Sequence, residues 1–171
     1  NTQDSATLNI LNDLWQRLDS AITQQGGAID KHIGDAVMGL FGVPVTQEDD
    51  PEQAIRAALR MRAALSDYVA DLFAASANNG QEHLSDLQNL RLSVGINTGP
   101  VMLGRVGDSE EYTVIGDTVN VASRLERAAP PGGILISHDT YLLVRDTFNI
   151  EALGPVAIKG RSEPVQVYLV L

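Results

Sequence analysis

Two short β-prone runs with only two residues between them, set between two long helical repeats, constrain this chain more than any other feature. Ala28–Ile33 and Ala36–Phe41 flank Gly34-Asp35, a spacing that predicts a tight antiparallel hairpin. Ahead of it, Leu8, Leu11, Trp15, Leu18 and Ile22 recur at helical spacing. Asp4 or Ser5 can cap that helix and Gly26-Gly27 ends it. Behind the hairpin, Asp50-Pro51 supplies an N-cap and a first-turn proline. A second helix then carries Ala54, Ile55, Ala58, Leu59, Arg62 and Leu65 to about Phe73.

The rest of the chain alternates short strands with helices. Residues 74–89 are rich in Asn, Gln and Ser and read as a surface loop. Arg91–Asn97 and Val101–Val106 read as strands joined by Thr98-Gly99-Pro100, and Tyr112–Ile115 as a further strand after the turn at Gly107-Asp108. A helix is predicted from Thr118 to Ala128 and is stopped by Pro130-Pro131-Gly132-Gly133. Ile134–Ser137 reads as a strand, His138–Val144 as a short helix, and Ile150–Ile158 and Val165–Val170 as closing strands. No repeat or internal linker interrupts the pattern. A single α+β domain over residues 1–171 is expected, with helices on one face of an antiparallel sheet. A ferredoxin-like core would place a strand before the first helix. That strand is missing here, so the chain is expected to be N-terminally incomplete and part of a longer protein.

Composition excludes several function classes. The net charge is −10, the wrong sign for a nucleic-acid binder. It leaves a nucleotide substrate open, because a few local cations and bound Mg²⁺ can hold a triphosphate. There is no cysteine, so disulfides and cysteine-ligated zinc are out. That absence fits a reducing compartment, and a cytoplasmic location is expected. No apolar run approaches the roughly 18 residues of a membrane span, and Asn1-Thr2-Gln3-Asp4 does not open a signal peptide. Neither a phosphate-binding G-x-x-x-x-G-K-[ST] loop nor a G-x-S-x-G elbow is present. His32, His83 and His138 lack metal-ligand spacing, and His32 is assigned no role.

A few polar residues stand out within this frame. Alternation along β-prone Ile29–Ile33 puts Ile29, Lys31 and Ile33 on one face and Asp30 and His32 on the other. Lys31 is then either a cation aimed into a pocket or a lysine snorkelling at a sheet edge. Asp35 at the hairpin tip is either a rigidly held Mg²⁺ ligand or an ordinary turn aspartate. Asn120 and Arg124, four apart on one helix, share a face with Arg127 beside the buried stripe of Val121, Ala122, Leu125 and Ala128. That face either meets phosphate, for which arginine's fork is suited, or is simply solvated. Lys159-Gly160-Arg161 places two cations on one turn, able to grip phosphate or to serve only as a polar turn.

Taken together, the motifs resemble those of class III adenylyl and guanylyl cyclase catalytic domains. The resemblance is carried by Lys31-His32-Ile33-Gly34-Asp35-Ala36-Val37-Met38 and by the long run from Tyr112 to Glu126. Val94-Gly95-Ile96-Asn97-Thr98-Gly99 and Ile158-Lys159-Gly160-Arg161 fit the same family. The match extends from about Ile10 to the C-terminus.

That resemblance implies an adenylyl cyclase (a lyase) forming 3′,5′-cyclic AMP and pyrophosphate from ATP for intracellular signalling. It implies two Mg²⁺ or Mn²⁺ ions per site and a homodimer with two shared sites. Asp35 would be one of two metal aspartates, and the other is expected upstream of Asn1. Lys31 would read the adenine ring, with Thr113 where many relatives carry Asp, as in a bacterial subgroup that uses ATP. Asn120 would orient the ribose and Arg124 would stabilise the transition state. Lys159 would hold the terminal phosphates, with Arg161 as the alternative. No nucleic acid or membrane contact is expected within this segment. The alternatives are a guanylyl cyclase, whose members commonly carry Glu near the Lys31 position, and a non-catalytic nucleotide-sensing or dimerisation module. A diguanylate-cyclase-like hairpin is not supplied by Ile33-Gly34-Asp35-Ala36.

Overall fold

The computed structural model describes residues 2–76, 88–105, 107 and 112–171. The elements run α1 (Thr2–Gln24), β1 (Ala28–Ile33), β2 (Ala36–Leu40), α2 (Asp50–Ser76), β3 (Val94–Ile96), β4 (Met102–Arg105), β5 (Tyr112–Ile115), α3 (Asp117–Ala128), β6 (Ile134–Ser137), α4 (His138–Val144), β7 (Ile150–Val156) and β8 (Val165–Val170). The mixed α+β architecture is the one expected. Part of the polar segment expected as a loop, and the turn at Asp108, lie outside the described residues.

The central sheet has four strands in the order β3-β6-β8-β7. It is antiparallel except for the parallel pair β3 and β6. β1-β2 and β4-β5 are separate antiparallel hairpins. Helices cover both faces of the central sheet, which corrects the expectation of one covered face. Ile134 and Ile136 of β6 pack with Ile55 and Ala58 of α2 and Val144 of α4. Leu135, between them, packs on the other side with Val121 and Leu125 of α3. A strand alternates its side chains between faces, so the uninterrupted apolar run of β6 is what a strand covered on both faces requires.

A third cluster joins the two long helices to the first hairpin. Leu14, Leu18 and Ile22 of α1 meet Met61, Leu65 and Tyr68 of α2, with Ile29, Val37 and Phe41 packed against them. α1 begins at Thr2, so Asp4 and Ser5 lie inside the helix rather than capping it. At α2, Gln53 N–H donates to the Asp49 carbonyl and Asp50 Oδ2 accepts from Gln47 N–H. The helix entry is therefore built by consecutive aspartates, with Pro51 in the first turn.

Two irregularities position the site. β1 carries a bulge: Ile29 pairs with Gly39 and Lys31 with the next residue, Met38, which leaves Asp30 as the extra residue. Gly95 of β3 lies against α3, where an added Cβ would come within 2.3 Å of Ala122 O and Glu126 N. Only glycine allows the strand and helix backbones to approach this closely.

Candidate active site

The bulge rewrites the face assignment made from alternation. Directly opposed residues of an antiparallel pair share a face. His32 opposes Val37, and Ile29 opposes Gly39. Ile29 and Val37 both pack into the α1–α2 cluster. His32 joins that side, with Nε2 2.9 Å from Asp19 Oδ2 of α1 and its ring edge-on to Trp15 at 5.5 Å. Lys31 therefore does not share an inward face with Ile29. It lies on the opposite side, and His32 ties β1 to α1.

Lys31 finds its partner in β5. Its Nζ lies 3.2 Å from Thr113 Oγ1, although the two residues are 82 apart in the chain. The register of β4-β5, with Gly104 opposite Thr113, sets Thr113 on that hairpin. Thr113 O–H in turn donates to Asp30 Oδ2 at 2.8 Å, and the same carboxylate oxygen lies 3.8 Å from Lys31 Nζ. The Asp30 side chain is only 4% exposed, while that of Lys31 is 43% exposed. Adjacent residues of a regular strand point to opposite faces. The bulge is what lets Asp30 and Lys31 reach one hydroxyl, and sequence periodicity gave no sign of it.

Asp35 stands on the β1–β2 turn, where Gly34 takes the left-handed conformation at φ 59°. The carboxylate is exposed and has no hydrogen-bond or ion-pair partner among the described residues. No group of three or more His, Cys, Asp and Glu side chains is gathered among the described residues. The donor chemistry fits Mg²⁺ or Mn²⁺ in kind, because Mg²⁺ is held by one or two carboxylates, water and substrate phosphate. Asp35 is one such carboxylate, uncommitted and fixed on a short turn.

α3 presents the remaining candidates. It starts without a side-chain cap after Gly116. Its first turn is fixed from outside: Asn97 Nδ2–H donates to Thr118 O at 3.1 Å, and Thr118 O–H donates to Pro100 O at 2.6 Å. Val121 and Leu125 are buried, Asn120 is exposed and Arg124 is half-buried. Asn120 and Arg124 thus flank the buried stripe, as their four-residue spacing requires. On the turn after β7, Arg161 is ion-paired with Asp117 at the start of α3. Lys159 is exposed and has no partner among the described residues. Of the two cations on that turn, Lys159 is the one whose charge is left for a ligand.

Comparison with known proteins gives a consistent result. The family model described as the adenylate and guanylate cyclase catalytic domain matches residues 1–171. An adenylate cyclase of Anabaena cylindrica is 34% identical over 165 residues, which cover 92% of this chain and 31% of that protein. The solved structure of the adenylyl cyclase CyaB from P. aeruginosa is 35% identical with a TM-score of 0.84, covering 98% of this chain and 83% of that one. The guanylate cyclase domain of RhGC from Catenaria anguillulae, solved in complex with GTP, is 27% identical with a TM-score of 0.77, covering all of this chain and 85% of that one. The chain spans less than a third of the length of the curated adenylate cyclases it matches. Among the described residues no helix is long and apolar enough to cross a membrane.

Proposed function

The chain belongs to the adenylate and guanylate cyclase catalytic-domain family, and from that premise we propose that it converts ATP to 3′,5′-cyclic AMP and pyrophosphate at a site shared by two copies of itself. The observation that carries this is the Lys31–Thr113 contact at 3.2 Å. It joins the two family signatures into one polar station on the side of β1 away from the helices.

In the reaction the ribose 3′ oxygen forms a bond to the α-phosphorus. The bond from that phosphorus to the bridging oxygen breaks, and pyrophosphate leaves with the electron pair. The 3′-hydroxyl proton passes to solvent. Lys31 and Thr113 hold the purine edge. Asn120, exposed on α3, orients the ribose. Arg124 lies one helical turn on and meets the charge that develops on the phosphoryl oxygens, where a fixed guanidinium is most effective. Lys159 holds the terminal phosphates. Two Mg²⁺ or Mn²⁺ ions, held in part by Asp35, would neutralise the triphosphate and lower the pKa of the attacking hydroxyl. Attack by substrate on itself requires no protein nucleophile, and positioning and charge carry the rate.

A homodimer is supported by the β4-β5 hairpin. Met102 and Ile115 are directly opposite in register. Met102 is 65% exposed and Ile115 45% exposed, and Leu103, next along β4 and on the opposite face of the hairpin, is also exposed. Apolar side chains grouped on an exposed hairpin mark an interaction surface, and a twofold pairing would create two equivalent sites. The test is a parallel turnover assay of the full-length protein with ATP and GTP and either metal ion. Faster product formation from ATP is the expected result. Preferred turnover of GTP makes it a guanylyl cyclase. Tight binding of either nucleotide without turnover leaves a sensing module.

A further inference from the structure

We propose that Asp30 is a positioning residue that sets base preference by committing the Thr113 hydroxyl to act only as a hydrogen-bond acceptor. This rests on Lys31 and Thr113 contacting the base.

The hydrogen-bond inventory leads there directly. An ionised carboxylate has no proton to give, and an ammonium has no lone pair to offer. In the 2.8 Å contact to Asp30 Oδ2, Thr113 must therefore be the donor. In the 3.2 Å contact with Lys31 Nζ, Thr113 must be the acceptor. A threonine hydroxyl has one proton and two lone pairs. Its proton and one lone pair are engaged, so a single lone pair is left for a ligand. Lys31 keeps further N–H donors. The pair thus presents one donor and one acceptor, side by side, in a fixed order.

Adenine offers the complementary order: ring N1 accepts and the 6-amino group donates. Guanine reverses it, with N1–H donating and O6 accepting. A hydroxyl free to rotate would serve either base. Asp30 removes that freedom. It is able to do so because it is almost fully shielded from water, which would otherwise compete for its oxygen, and because Lys31 stands close by as counter-charge. Guanine O6 would face an oxygen lone pair and remain unpaired, the situation in which a polar site rejects an analogue most strongly.

The experiment measures binding rather than turnover. Titration calorimetry on the full-length protein with 3′-deoxy-ATP and 3′-deoxy-GTP, which lack the attacking hydroxyl, gives an affinity ratio for each variant. Asp30→Ala should lower the adenine-over-guanine ratio about tenfold, the size of one hydrogen bond gained or lost. In a Thr113→Val background the same substitution should leave the ratio unchanged, because Asp30 acts through that hydroxyl. Asp30→Asn should retain most of the preference. The oxygen facing Thr113 also faces Lys31, and both are donors, so an amide would turn its carbonyl there. Asp30→Leu fills the same space without an acceptor and repeats the measurement if alanine leaves the hairpin unfolded. An unchanged ratio in Asp30→Ala and Asp30→Leu overturns the proposal while Thr113→Val still shifts it. An equal change with and without Thr113 also overturns it. If Thr113→Val and Lys31→Ala both leave the ratio unmoved, the base-contacting role itself is wrong, and the Asp30 role falls with it.

Discussion

Gly95→Ala tests how closely α3, and with it Asn120 and Arg124, depends on β3. The added methyl would lie 2.3 Å from Ala122 O, 2.3 Å from Glu126 N and 2.9 Å from Leu125 C. Comfortable heavy-atom contacts begin near 3.5 Å, so strand and helix must separate by about 1 Å. The obstructing atoms are backbone and cannot rotate aside. Overpacking a core costs about 1–3 kcal/mol, and backbone on both sides places this case near the top, at about 3 kcal/mol. At roughly 2–4 °C per kcal/mol for a chain of this size, the melting temperature should fall by roughly 6–12 °C. Thermal unfolding followed by circular dichroism at one protein concentration reads this directly. Gly104→Ala is the control, because its methyl would come closest to the Ile115 Cδ1 tip, at 3.3 Å, with the nearest backbone atom, Thr113 O, at 4.0 Å. A side-chain tip can give, so that change should stay within about 1 kcal/mol. In folded Gly95→Ala, turnover should also fall, by about 10²-fold, if α3 shifts by about 1 Å. Matching melting temperatures for the two variants would refute the account of Gly95 as the contact that sets the α3 position.

Three further outcomes are expected. Mixing Asp35→Ala chains with Arg124→Ala chains should restore part of the activity that each lacks alone, since one of the two hybrid sites keeps both intact halves; dimeric mixtures that stay inactive would exclude shared sites. Met102→Glu and Ile115→Glu should shift the protein toward monomer in sedimentation velocity while circular dichroism still shows a folded chain, because both side chains are exposed within one copy; an unaltered dimer would remove β4-β5 from the interface. The Tyr68 phenol is raised above its ordinary 10.0 by burial first and by the Asp13 carboxylate next, with Arg17 opposing. The folded state thus holds the phenolic proton more tightly than the unfolded chain does. Its stabilising contribution is complete below about pH 10 and is lost as pH rises through the folded-state value. Urea midpoints measured from about pH 9 to 11 should fall more steeply for wild type than for Tyr68→Phe, and parallel curves would contradict the assignment.

Much of the fold was legible because helices and strands announce themselves by period. The bounds of α4 and β8 match the expectation, and α3 starts one residue earlier than expected. Shorter strands fared less well. β3 is confined to Val94–Ile96, inside a run expected to extend over Arg91–Asn97. Its parallel pairing with β6 is a long-range choice that no local pattern encodes. The second covered face of the sheet was written in the sequence, since Ile134-Leu135-Ile136 lacks the polar alternation of a strand with one wet face.

The site divides differently. Spacing could place Asn120 and Arg124 on one helix edge, because helical geometry fixes side-chain direction over four residues. Resemblance, not pattern, raised Lys31 and Thr113 above the ordinary explanations of a lysine and a threonine. Asp30 escaped both, for a geometric reason. A period of two assigns neighbours to opposite faces, and a single inserted residue reverses the assignment from that point on. Had β1 been regular, Asp30 would stand on the side of Ile29's cross-strand neighbours or Lys31 would, but not both beside Thr113. The bulge sacrifices one ladder position and in return places an acceptor and a cation on the same hydroxyl. On the proposal that Lys31 and Thr113 contact the base, the bulge between Ile29 and Lys31 is part of the site, because it brings two adjacent side chains, Asp30 and Lys31, to one hydroxyl.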